Sequence, residues 1–284
     1  MIKRAAIVDS VAPVLVLLLL GSPVAAQEPQ KSGRLKNIEQ CNGADRVPAQ
    51  VRIAGCAALI NSGDIRADAL AVAYNNRGNA YSAAAEYDRA IADFDRAIEL
   101  ASGYVKPVNN RGVAYLRKGA YDDAIKAFDE AIKLKPGYAG AFANRAVAHL
   151  KLNQYDRAAR DFDEAIRLDP DLTLAWSGRC WTRAVTGDLQ AGLDDCDRAI
   201  KSGPNDAAAY DSRALIRLKM GQLAAAIDDY DSALRLAPGQ AGALYGRGLA
   251  KLRQGDKAGG DRDVSAAKLI EAKVGDEFAR RGVQ

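Results

Sequence analysis

The 284-residue sequence contains one histidine, His149, and little around it that could do chemistry. A lone imidazole cannot make a metal site, and its place in a helical pattern marks it as a packed helix residue. No serine has a base partner. Asp194-Asp195 and Asp228-Asp229 are helix neighbours that point apart, so neither is a paired-carboxylate acid–base site. Gly246-Arg247-Gly248 lacks the third glycine and the preceding strand of a phosphate loop. No enzyme, metal or cofactor is expected. Cysteines are also few: Cys41, Cys56, Cys180 and Cys196, with sequence separations of 15 and 16 for the pairs taken in order, a spacing that excludes CxxC redox and zinc-ribbon motifs. Aromatics make up 6% of the chain and there are nine prolines. The formal charge is only +4, with both signs interspersed, which argues against nucleic acid as a partner. What remains is the alanine-rich composition of a helical globular protein.

Long apolar runs are confined to the start. Lys3 and Arg4 precede the run Val11–Leu20, and Val24-Ala25-Ala26 supplies small residues before Gln27. Residues 1–26 read as an export signal, since the run is short of the roughly 20 residues of a membrane span. The alternative is an uncleaved anchor. The mature chain, with a formal charge of +3 once Lys3, Arg4 and Asp9 are gone, is expected outside the cytoplasm without stable membrane insertion. The periplasm is the first expectation and secretion the alternative. Four cysteines in an exported chain suggest disulfides. Three connectivities exist, and sequence order pairs Cys41 with Cys56 and Cys180 with Cys196.

Residues 27–36, polar with a proline and a glycine, read as a flexible linker. Residues 37–66 form an N-terminal cap, with a helix over Pro48–Asn61 that Gly63 can end. From residue 71 a 34-residue period takes over, with repeats at 71, 105, 139, 173, 207 and 241. The eighth position is small: Gly78, Gly112, Ala146, Cys180, Ala214 and Gly248. The twentieth is Ala90, Ala124, Ala158, Gly192, Ala226 and Gly260. The twenty-fourth carries Phe94, Phe128, Phe162, Cys196, Tyr230 and Val264, and the twenty-seventh is always alanine. Pro136, Pro170, Pro204 and Pro238 close four of the second helices. Apolar spacings of 3 and 4, broken by short turns such as Lys118-Gly119, give helix pairs.

This pattern over residues 67–272 resembles the tetratricopeptide repeat family, in a variant similar to exported members from Gram-negative bacteria. The resemblance implies an all-α, right-handed superhelical solenoid of antiparallel helix pairs with a concave inner face. Residues 273–284 should be a C-terminal cap, turning at Gly275 into a short helix over 276–281, with Gly282-Val283-Gln284 frayed. Cys180 and Cys196 fall on facing sides of one helix pair, beside Gly192, and read as a structural staple. The seventh position is arginine in all six repeats (Arg77, Arg111, Arg145, Arg179, Arg213, Arg247), where the family more often has an apolar residue. Aspartates flank the second helices at the twenty-third and twenty-fifth positions, so an Arg–Asp ladder between helices is expected.

Function should lie in the groove. Helix geometry puts the second, fifth, sixth, ninth, twelfth and thirteenth positions of each first helix on the inner face. Asn75, Asn79, Asn109, Asn110 and Asn144 can bond a peptide backbone in both senses. Val113, Val147, Trp181, Leu215, Tyr245 and Leu249 supply apolar and aromatic contact. Some family members clamp a terminal carboxylate with basic residues and asparagines. Here Asn79 and Asn110 match the asparagines, but Asn75, Gly140 and Asn144 replace the basic residues, so a chaperone-tail ligand is not expected. The expected function is a non-catalytic scaffold of the cell envelope that binds a protein or peptide in its groove. Alternatives are a self-assembling homo-oligomer or an accessory subunit of an envelope enzyme complex.

Overall fold

The structure, a computed structural model, describes residues 24–43 and 46–283, with side chains from residue 33 onward. The signal read at residues 1–26 lies outside the described residues as far as residue 23. Fifteen helices and no strand occur among the described residues. The six repeats are the pairs α3 (Ala67–Ala83) and α4 (Tyr87–Leu100), α5 (Val105–Lys118) and α6 (Tyr121–Leu134), α7 (Ala139–Lys151) and α8 (Tyr155–Leu168), α9 (Thr173–Thr186) and α10 (Leu189–Ser202), α11 (Ala207–Lys219) and α12 (Leu223–Leu236), and α13 (Ala241–Gln254) and α14 (Lys257–Ile270). Each helix packs on its partner and on the next pair, which makes the chain a right-handed solenoid.

Two positions set the geometry of each pair. The aromatic at the twenty-fourth position packs where the eighth position is bare: a Cβ on Gly78 or Gly112 would come within 2.6 or 2.5 Å of the Phe94 or Phe128 ring. Both rings are fully buried. The turn between the helices always places its fifteenth position in the left-handed region. Gly119, Gly187, Gly221 and Gly255 take it without a Cβ penalty, while Ala85 (φ 59°) and Asn153 (φ 56°) adopt it as non-glycine residues.

The N-terminal cap differs from the sequence expectation. Residues 27–36 are not a loose linker but part of α1 (Val24–Asn42), which pairs with α2 (Ala49–Asn61). The polar composition that suggested a linker also contains good helix formers, and Arg34 anchors the helix by donating to the Asp64 carboxylate (3.0 Å) and carbonyl (2.9 Å). The cap is itself built like a repeat. Cys56 is the eighth residue of α2, as Phe94 is of α4, and its bridge to Cys41 occupies the place of an aromatic plug. Cys180 and Cys196 are bridged likewise, and all four sulfurs are buried.

The C-terminal end differs more. The chain turns at residues 271–273, and α15 (Val274–Arg280) contains Gly275 instead of starting after it. Gly282 and Val283, expected to fray, are ordered against the body, and Gln284 lies outside the described residues. Gly282 adopts φ 78°, the Val283 amide donates to the Phe278 carbonyl at 3.0 Å, and Val283 is 3% exposed, packed in the core cluster shared by α9–α15. This is a Schellman-type closure that swings an apolar residue back onto the body.

Candidate functional site

The ladder of charge runs through the whole stack. In five of the six repeats the twenty-third-position aspartate accepts a two-toothed grip from that repeat's arginine, as in Arg145 to Asp161 (2.8 and 2.6 Å) and Arg213 to Asp229 (2.9 and 2.7 Å). The same arginine reaches back to the preceding repeat: Arg145 to Asp129, Arg179 to Asp163, Arg213 to Asp197, Arg247 to Asp231. In the second repeat Ala127 replaces the aspartate, and Arg111 instead joins Asp95 to Glu130. Hydrogen bonding to Asp161 above all, against the opposing cost of burial, lifts the Arg145 guanidinium further above its usual range. Sequence reading missed a second set of cations at the eleventh position. Arg183, Arg217 and Lys251 donate to Asp195, Asp229 and Asp263 at 2.7, 2.7 and 2.9 Å. His149 holds the same position. It is buried, with Nδ1 2.8 Å from the Gln154 side-chain oxygen and Nε2 3.7 Å from Asp161.

On the inner face the asparagines meet one another. Asn110 donates to the side-chain oxygens of Asn75 (3.0 Å) and Asn79 (3.1 Å), and Asn144 donates to Asn109 (3.1 Å). Asn75 and Asn109 are buried. The groups expected to hold a peptide backbone thus knit neighbouring first helices together. Val113 and Leu249 are half-buried against core clusters that span neighbouring repeats.

The C-terminal half of the groove already has an occupant. Leu215, expected to line the groove, is 2% exposed and joins the cluster that contains Val274, Phe278 and Val283, whereas the ninth-position residues of the other five repeats stay partly open. The Tyr245 ring stands 5.0 Å from Phe278, and the Arg281 guanidinium lies 4.7 Å over Trp181. The segment from Val274 to Val283 therefore forms a hook that follows the sixth repeat yet reaches back to the fourth. It shares a buried cluster with Leu215 and contacts both aromatic anchors that the sequence singled out. Nothing in the periodicity could signal this, since the hook occurs once.

An open cavity of about 870 Å³ lies just beyond the hook. Its walls come from the predicted inner-face positions of the third to fifth repeats: Val147, Leu150, Leu174, Trp181 and Val185, with Asp211 and Ser212. Glu277, Arg280 and Arg281 of the hook close its side. Asp211, at the fifth position of its repeat, was missed in the sequence. No donor hydrogen-bonds its carboxylate among the described residues, and desolvation pushes that carboxyl up to about 6, against the pull of Arg281. Among the described residues there is no cluster that could hold a metal ion.

The raised pKa has a testable cost. With a folded value near 6 and an ordinary value of 3.8, Asp211 is neutral in both states below pH 3.8. Stability is then lost as the pH rises through 6, because the folded state resists ionisation. Asp211→Asn should melt like the parent chain near pH 3.5. At pH 7.5 it should be more stable, by about 1–3 kcal/mol. Equal melting at pH 7.5 would show that the carboxylate is not strained.

A stack of paired helices with a continuous inner groove defines a scaffold of the protein-interaction class. Models of the tetratricopeptide repeat match residues 75–139, 139–172 and 212–260, together about half of the sequence. The chain belongs to the tetratricopeptide repeat family. No curated protein matches it. Among solved structures, a tetratricopeptide repeat protein from Parabacteroides merdae superposes with a TM-score of 0.65 at 18% identity, over 88% of this chain and 99% of that one. The Cut9–Hcn1 hetero-tetramer of APC/C gives 0.70 at 16%, over 86% of this chain and 50% of the other. A thermophilic family member from Thermus thermophilus gives 0.53 at 19%, over 63% and 97%. At these identities the likeness is one of fold.

Proposed function

We propose that this protein is a non-catalytic interaction scaffold of the cell envelope that takes a peptide segment of another protein into its concave groove. The open cavity beside Trp181 carries the reading, because it joins apolar walls to a few convergent polar groups at the centre of the stack. Residues 1–26 and the two disulfides support an exported, oxidising setting, with the periplasm first. No described helix is long and apolar enough to cross a membrane. The test is selection of displayed random 12-residue peptides on the full chain, repeated on Trp181→Ala. Peptides that bind the parent chain and lose at least about tenfold in affinity on the variant support the groove. Peptides indifferent to the substitution move the site elsewhere, and an empty selection removes the reading.

Self-assembly is favoured by one observation. Leu269 is 89% exposed at the twenty-ninth position, where the other five repeats carry Glu99, Lys133, Arg167, Lys201 and Arg235. Exposed Ile270 adjoins it. An apolar residue on an otherwise charged face suits burial between copies. A mass by light scattering that rises with concentration, and no longer does so in Leu269→Lys, is the result expected on this reading.

A further inference from the structure

Arg281 is held in place by other parts of its own chain. Its guanidinium is bonded to Glu277 at 2.8 Å and lies 5.4 Å from the Phe278 ring and 4.7 Å from the Trp181 ring, within cation–π range of both. It lines the same cavity as Asp211 and feels that carboxylate's charge, yet makes no ion pair with it. Lys219 also lies within reach of the Arg281 charge, and it is committed to the Ala184 carbonyl at 2.7 Å. The pocket therefore holds an aromatic wall, an aliphatic wall of Val147 and Leu150, and an unbonded carboxylate, with Lys151, Arg280 and the Glu277–Arg281 pair at its rim. Those are the requirements of a long side chain with a cationic tip: an apolar stem to pack, a face to stack on and an acceptor to end against.

We infer that the Trp181–Asp211 pocket receives an arginine side chain of the bound peptide, and that Arg281 occupies its mouth in the free protein as a placeholder. The inference rests on the groove reading above and names the ligand's anchoring residue. Arg281 is suited to displacement because it reaches Trp181 without bonding Asp211, and because the positive charge of Lys219 opposes it. A peptide arginine entering from the open side can do both, stacking on Trp181 and donating to Asp211. The hook then competes with the ligand, so the affinity of the free chain is below that of the pocket itself.

The probe is an acetylated, amidated peptide with one arginine between leucines, and its control carries citrulline, which keeps the shape and removes the charge. Binding is followed by Trp fluorescence to the full chain, to Arg281→Gln and to Arg281→Gln/Asp211→Asn, each checked for parental helix content by circular dichroism. Arg281→Gln should bind the arginine peptide about tenfold more tightly than the parent chain, and the citrulline peptide or added Asp211→Asn should remove that gain. Equal binding of arginine and citrulline peptides, or a gain that survives Asp211→Asn, overturns the pocket while leaving the groove standing. If neither peptide binds any variant and peptide selection is also empty, the pocket and the groove fall together.

Discussion

Asp229→Ala should destabilise the fifth repeat by about 3–5 kcal/mol, because it strands two cations that one buried carboxylate now satisfies. Asp229 is 3% exposed and accepts from Arg213 through Nε and Nη2 and from Arg217 through Nη1, at 2.9, 2.7 and 2.7 Å. Whether such a cluster stabilises the fold better than an apolar trio would is a separate matter. Removing one member is costly because the others stay behind partly desolvated. The adjoining rung gives the contrast. Asp197 also binds Arg213, at 2.6 Å, but its side chain is 62% exposed, and Asp197→Ala should cost no more than about 1 kcal/mol. Urea unfolding followed by circular dichroism separates the two. Repeats fold as coupled neighbours, so Asp229→Ala should also broaden the transition. Equal costs for the two variants would mean that burial does not govern the ladder.

Phe278→Ala should release the hook. The ring is buried, packs against Tyr245 and anchors the segment through which Val274 and Val283 reach the core. Truncating a buried phenylalanine typically costs about 3–5 kcal/mol, more than a ten-residue terminal segment can be expected to hold in reserve. The loss should stay local. Amide exchange should accelerate over residues 274–283 and at Leu215, Trp emission should shift to the red, and the first three repeats should unfold at unchanged urea. Protected amides in 274–283 of the variant would show that the hook is held by something other than this ring.

These two features were unequally legible in the sequence. The ladder could be read because each arginine recurs with its aspartates at fixed offsets, and a periodic pattern reports what every repeat shares. The small eighth position and the aromatic twenty-fourth were legible for the same reason, and they fix the helix pairing. The hook, by contrast, belongs to no period. Val274, Phe278 and Val283 look like an ordinary short tail until the fold brings them beside Leu215 and Tyr245. The asparagines were read as ligand-binding because each offers a donor and an acceptor to open solvent. In the stack the nearest such groups are other asparagines one repeat away, and these satisfy them first. Asp211 went unnoticed among many aspartates. Only its position at the floor of a cavity sets it apart, and position is what a sequence without coordinates does not give.

The ladder also makes the stack directional. From the second repeat onward each arginine takes one partner from its own repeat and one from the repeat before it, so every repeat from the first to the fifth offers a spare acid, Asp95, Asp129, Asp163, Asp197 or Asp231, to its successor. In the sixth repeat the corresponding residue is Ser265. A repeat duplicated inside the array would arrive with both connectors and find both matched. One appended after the sixth would present an arginine to a serine. Lengthening by insertion therefore keeps every connector paired, whereas extension after the sixth repeat forgoes one partly exposed ion pair, at a cost of no more than about 1 kcal/mol.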